Sequence, residues 1–101
     1  MILSAKSSQL VSVMNVKPPS STRLTIINPR NTDDWEPDVT VVGVDTGAGA
    51  ATVDAFAAQL PDADIRRWSI VFSHDGAVYN GYIQDMESRF GRKRLALMLN
   101  A

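Results

Sequence analysis

Hydrophobic and polar positions alternate most regularly in the last third of the chain. In Arg66-Arg67-Trp68-Ser69-Ile70-Val71-Phe72-Ser73, residues Trp68, Ile70 and Phe72 fall on one side and Arg67, Ser69 and Ser73 on the other, with Val71 the exception. A period of two sustained over 66–73 predicts a half-buried strand. His74-Asp75-Gly76 follows, and Asp-Gly predicts a tight hairpin turn because Gly accepts positive φ. Residues 77–87 form a second extended run rich in Tyr, Val and Ile, and Arg89-Phe90-Gly91 makes the next turn. Lys93, Leu95, Leu97 and Leu99 then alternate with Arg94, Ala96, Met98 and Asn100. Residues 65–101 therefore read as a three-stranded antiparallel meander.

The preceding pattern is shorter-ranged. Residues 9–16, rich in Val, Leu and Met, predict a strand that Pro18 and Pro19 end, since neither can donate to a ladder. Residues 22–27 predict another, with Leu24 and Ile26 on one side. Asn28-Pro29-Arg30-Asn31 turns the chain into an acidic loop, 32–38, that holds Trp35 and Pro37. The β-branched run 39–44 predicts a buried strand, and 45–51, with Gly47 and Gly49 among alanines, a flexible connector. Residues 52–60 are the one helix candidate. Thr52 can cap it, Asp54 suits its positive end, and Val53, Phe56, Ala57 and Leu60 form a stripe before Pro61 stops it. The expected fold is mainly β (α+β): a single domain over 1–101, built as an antiparallel β-sandwich or partly closed barrel with one short helix near 52–60 and a flexible N-terminal segment, 1–8.

Composition narrows the chemistry. The 101 residues, 45% hydrophobic, suit one core, and the absence of cysteine removes disulfides, thiolate metal sites and cysteine catalysis. A net charge of −1 gives no overall drive toward nucleic acid or anionic lipid. That charge is unevenly spread: residues 1–65 hold eight acids against four bases, net −4, and residues 66–101 six bases against three acids, net +3. Such a chain is either two-sided, favouring head-to-tail contacts between copies, or pairs the two signs within one monomer. Lys6 interrupts the only apolar start, so no signal-peptide core is expected, and no apolar run approaches the ~20 residues of a membrane span.

Five features invite a chemical reading. His74, the single histidine, lies beside Asp75 at a turn, a poor place to orient a catalytic imidazole, and one His without Cys falls short of a metal set. Asp85 and Glu87 are spaced to share a strand face; paired carboxylates can do acid–base work, bind calcium or simply be solvated, and pairing with Arg92 and Arg94 across the last hairpin is the better reading. Gly47-Ala48-Gly49 before a helix has the outline of an anion-binding loop but lacks the following Lys-Ser/Thr, so a hinge that orders on assembly is the better reading. Arg89, Arg92, Lys93 and Arg94 crowd around Phe90-Gly91. They suit salt bridges between subunits or, with Trp68, Phe72, Tyr79 and Tyr82 as stacking surfaces, a nucleic-acid backbone. Trp35, beside Asp33 and Asp34, either folds back on its own core or anchors a partner.

The order of 52–60, 66–72, Asp75-Gly76, Tyr79-Asn80-Gly81-Tyr82-Ile83 and 95–99 resembles phage tail tube proteins and the related tube proteins of contractile injection systems. Those are small β-sandwiches or barrels with a flanking helix, whose rings stack into a hollow tube. The resemblance covers about half the chain, and a tail terminator, baseplate or hub component, or capsid decoration protein would fit nearly as well. It implies a non-enzymatic virion structural protein that forms homo-oligomers and meets other virion proteins. No catalytic, cofactor or metal residues are expected, and no membrane. The interface residues would be Trp35, Asp33, Asp34, Arg89, Arg92, Lys93 and Arg94. A small nucleic-acid-binding β-barrel using the basic turn 89–94 is the alternative, which would be cytoplasmic rather than in a virion.

Overall fold

The computed structural model describes residues 21–30 and 33–100. Among the described residues seven strands run β1 (Thr22–Ile27), β2 (Asp34–Trp35), β3 (Val39–Asp45), β4 (Ala50–Phe56), β5 (Ser69–His74), β6 (Ala77–Arg89) and β7 (Arg92–Asn100), with a 3₁₀ turn at Ala57–Gln59. They form one sheet in the order β2-β1-β5-β6-β7-β4-β3, and every neighbouring pair is antiparallel. The sheet is open at β2 and β3, yet β3 also meets β1, so the sheet curls toward a barrel without closing.

The core follows from side-chain alternation. Leu24 and Ile26 of β1, Ile70 and Phe72 of β5, Ile83 of β6, Leu95 and Leu97 of β7 and Val53 of β4 face one interior, joined by Ile65 from the β4–β5 connection. Gly81 of β6 stands where a Cβ would collide with the Met98 carbonyl oxygen, so only glycine lets β6 and β7 approach at that row. The 65–101 meander is present as three paired strands. Its first strand starts at Ser69 rather than at 66, because Ile65 to Trp68 is a β-turn: Trp68 N–H donates to Ile65 O at 3.1 Å and Arg67 takes a left-handed φ of 75°.

Three expectations are corrected. The helix near 52–60 is absent. Ala50–Phe56 is strand β4, paired with β3 on one side and β7 on the other. Ala51, Val53 and Ala55 point inward, and Phe56, assigned to the inner stripe of the helix, is half exposed. Only Ala57–Gln59 is helical, as a single 3₁₀ turn. Alanine-rich sequence favours helix weakly, and two ladders of cross-strand bonds override that preference. Second, the connector 45–51 contracts to the turn Thr46–Gly49, closed by Gly49 N–H to Thr46 O at 3.2 Å and Ala48 N–H to the Asp45 carboxylate at 3.1 Å. Third, β3 is not buried; it is an edge strand whose Thr40, Val42 and Gly43 are exposed, with a bulge at Val42. The expected strand 9–16 and flexible segment 1–8 lie outside the described residues.

Candidate interaction surface

The β6–β7 ribbon outruns the core. A bulge at Gln84 shifts its register, and from Glu87 to Arg92 every residue is exposed. Two outward rows cross this end of the sheet. One joins Asp54, Arg94 and Glu87 through the β4–β7 and β6–β7 pairings, and the next joins Phe56, Arg92 and Arg89.

The first row is compensated. Arg94 forks onto Asp54, Nε to Oδ1 at 2.8 Å and Nη2 to Oδ2 at 3.1 Å, a bidentate geometry. That hydrogen bond, then the positive charge of Arg94 and its neighbours working against partial desolvation, holds the Asp54 carboxyl below its ordinary range. The same bond holds the Arg94 guanidinium above its own. Glu87 stands opposite Arg94, as expected, but the carboxylate that Arg94 grips is on β4. Asp85 opposes Ala96 and accepts the Met86 N–H at 2.8 Å, so it makes no pair with Arg92.

The second row is not compensated. Arg89 stands directly opposite Arg92, and neither makes an ion pair within 4.0 Å among the described residues. Arg92 instead stacks its guanidinium over the Phe56 ring, 4.8 Å from the centroid. Phe90 caps the row with its side chain wholly exposed, at 105% relative accessibility. The turn is braced from below, since Ala57 N–H donates to Gly91 O at 2.9 Å. Arg89, Phe90 and Arg92, with Asp54 and Arg94, line an open cleft of about 230 Å³.

The predicted site residues separate into two places. Arg89, Arg92, Lys93 and Arg94 share the ribbon end, though Arg94 is occupied by Asp54 and Lys93 is half-buried. Asp33, Asp34 and Trp35 lie on the far edge, where β2 pairs Trp35 with Ile26 and Asp34 with Ile27. Trp35 remains 36% exposed. Nearby acids are partly used: Glu36 pairs with Arg23 at 2.7 Å, and Asp38 binds Gln59 through its backbone N–H and its carboxylate. The two signs of charge thus meet within the monomer at Arg23–Glu36, Arg66–Asp64 and Arg94–Asp54, and stay apart at the tip and at Asp34.

The sequence places Phe90 in a turn and Phe56 in a helical stripe, and gives neither an interface role. The available signal was a bulky residue at the first position of a two-residue turn, where Asn or Asp is the usual choice. The other candidates have structural roles. His74 closes β5, with Nδ1 2.8 Å from Thr22 Oγ1, Nε2 3.2 Å from Asp75 and its ring stacked on Phe72. Trp68 and Tyr79 pack against the core and Phe72 is buried within it, which withdraws them as base-stacking surfaces. Gly47 to Gly49 precedes a strand, so no helix terminus aims at an anion there. Among the described residues no group of three or more His, Cys, Asp or Glu is placed to hold a metal, and no helix is long and apolar enough to cross a membrane. No protein-family model, curated protein or solved structure matches this chain.

Proposed function

We propose that this chain is a non-enzymatic structural subunit that assembles with copies of itself, in the class of phage tail tube or other tail and baseplate components. The observation that carries the self-assembly is the open edge at β3. Among the described residues Val39–Asp45 pairs only with β4; it is β-branched at five positions and has neither Lys nor Arg to discourage another strand. Isolated β proteins usually blunt such an edge with inward charge, proline or cover; among the described residues β3 has the bulge at Val42 and a limited contact with β1. A neighbouring copy that extends the sheet supplies the missing partner. The order of β5, the Asp75-Gly76 turn, β6 with its Gly81 step and β7 supports the tail-tube class; β4, standing where that class carries a helix, departs from it.

Light scattering on size-exclusion peaks across protein concentration, with negative-stain images of the same fractions, tests the reading. Rings, tubes or a mass that grows with concentration are expected, and Val42→Lys on the edge strand lowers that mass. A monomer at every concentration, with isolated particles only, contradicts it.

A further inference from the structure

The Phe90-Gly91 turn departs from the preferences of a hairpin in three ways at once. Phe90 and Gly91 both have positive φ, 45° and 80°, and a bulky L-residue is rarely left-handed. The Phe90 side chain is uncovered. Arg89 and Arg92 are like charges directly opposed across the strands. The left-handed Phe90 and the opposed charges work against the monomer's stability, the exposed ring adds nothing to it, and all three sit on a turn braced by the Ala57–Gly91 hydrogen bond and the Arg92–Phe56 stack. Strain, exposed aromatic surface and unpaired charge gathered on one preformed projection mark a contact made outside the monomer.

We infer that this tip is one half of a head-to-tail contact between copies, whose other half is the β2 edge carrying Asp33, Asp34 and Trp35. The inference rests on the self-assembly reading and names one of its interfaces. Charge selects the partner. Arg89, Arg92 and Lys93 make no ion pair among the described residues, and Asp34 likewise makes none. The chain thus carries a basic aromatic tip and an acidic aromatic edge of opposite sign. β2 ends the strand order, with β1, β5 and β6 between it and β7, so the two patches occupy different parts of one copy's sheet. A contact between unlike patches leaves one of each unused at the ends, and growth continues into a ring or a filament. Phe90 and Trp35 supply the apolar anchors, and the charges set polarity.

Two charge reversals and their mixture test this in the full chain. The tip-reversed protein carries Arg89→Glu and Arg92→Glu; the edge-reversed protein carries Asp33→Lys and Asp34→Lys. Each alone presents like charges at both patches, and its association, read by light scattering, weakens by at least ~10-fold. An equimolar mixture regains the wild-type mass, because each tip again meets an edge of opposite sign. Phe90→Asn, which keeps the charges, lowers association as well, and circular dichroism verifies that every variant is folded. If wild type assembles and both reversed proteins assemble equally well, the tip-to-edge contact is wrong while self-assembly stands. If wild type is monomeric throughout, both fall. If the reversals leave association unchanged and the tip reversal alone abolishes salt-sensitive binding to a single- or double-stranded oligonucleotide, the tip is a nucleic-acid contact and the inference is overturned.

Discussion

The chain makes the same tight turn twice and furnishes it in opposite ways. At β5–β6, Asp75 and Gly76 have φ of 49° and 86°; at β6–β7, Phe90 and Gly91 have 45° and 80°. Two positive φ values in a two-residue hairpin loop are the type I′ pattern, which matches the twist of the strands it joins. Asp75 tolerates that backbone and uses its carboxylate, accepting from Ser21 Oγ at 2.8 Å and lying 3.2 Å from His74 Nε2. Phe90 neither tolerates it well nor touches the core. One turn is furnished for the monomer, the other for something beyond it. The neighbouring outward rows repeat the lesson: Asp54, Arg94 and Glu87 alternate in sign, whereas Phe56, Arg92 and Arg89 do not.

The harshest test removes the frame that both turns share. Gly81→Ala forces a Cβ onto the Met98 carbonyl and separates β6 from β7. The expected loss is about 3 kcal/mol, read as a lower urea midpoint, with both turns disordered together. Exchanging the turn residues comes next. Asp75→Phe introduces the left-handed penalty and discards two contacts, for a loss of about 2 kcal/mol. Phe90→Asn relieves the penalty and gains about 1 kcal/mol in the monomer, so the two substitutions move the midpoint in opposite directions.

Acid titration separates the compensated pairs from the tip. The Asp64 carboxyl is held down to about 2 by hydrogen bonds from the Arg66 side chain and backbone N–H, and Asp54 is lowered by Arg94. A lowered folded value means that the contribution is complete above the ordinary carboxylate range, about 4, and is lost as pH falls toward the folded value. Stability is therefore expected to fall between about pH 4 and pH 2, and Asp64→Asn and Asp54→Asn to flatten that slope. The smallest effect belongs to Arg89→Ala, which removes the opposed charge from Arg92. Its gain of about 0.5 kcal/mol at low salt shrinks as ionic strength rises.

The meander was legible in the sequence because period, turn chemistry and composition agree from Ser69 to Asn100. Both turns fall on Gly-containing pairs, and the alternating leucines of β7 admit no other register. β4 was not legible, because Val53, Phe56, Ala57 and Leu60 fit a helical stripe while Ala51, Val53 and Ala55 fit a strand. Only pairing with β3 and β7 decides between them. The burial of β3 was overestimated for a related reason: valines mark a strand, but its place at the sheet edge depends on the order of all seven. The basic cluster was visible as composition. Its division into a gripped Arg94 and an unpaired Arg89 and Arg92 depends on Asp54, 40 positions away in the chain. Phe90 could be placed in a turn, but its exposure follows from the ribbon overrunning the core, which no local pattern records.

Light-scattering mass of wild type and Phe90→Asn over the same concentration range tests the central claim most directly. A wild-type mass that rises with concentration, beside a variant of lower mass at each concentration, is the predicted result. A variant that associates as wild type does would show that the exposed ring plays no part in contacts between copies.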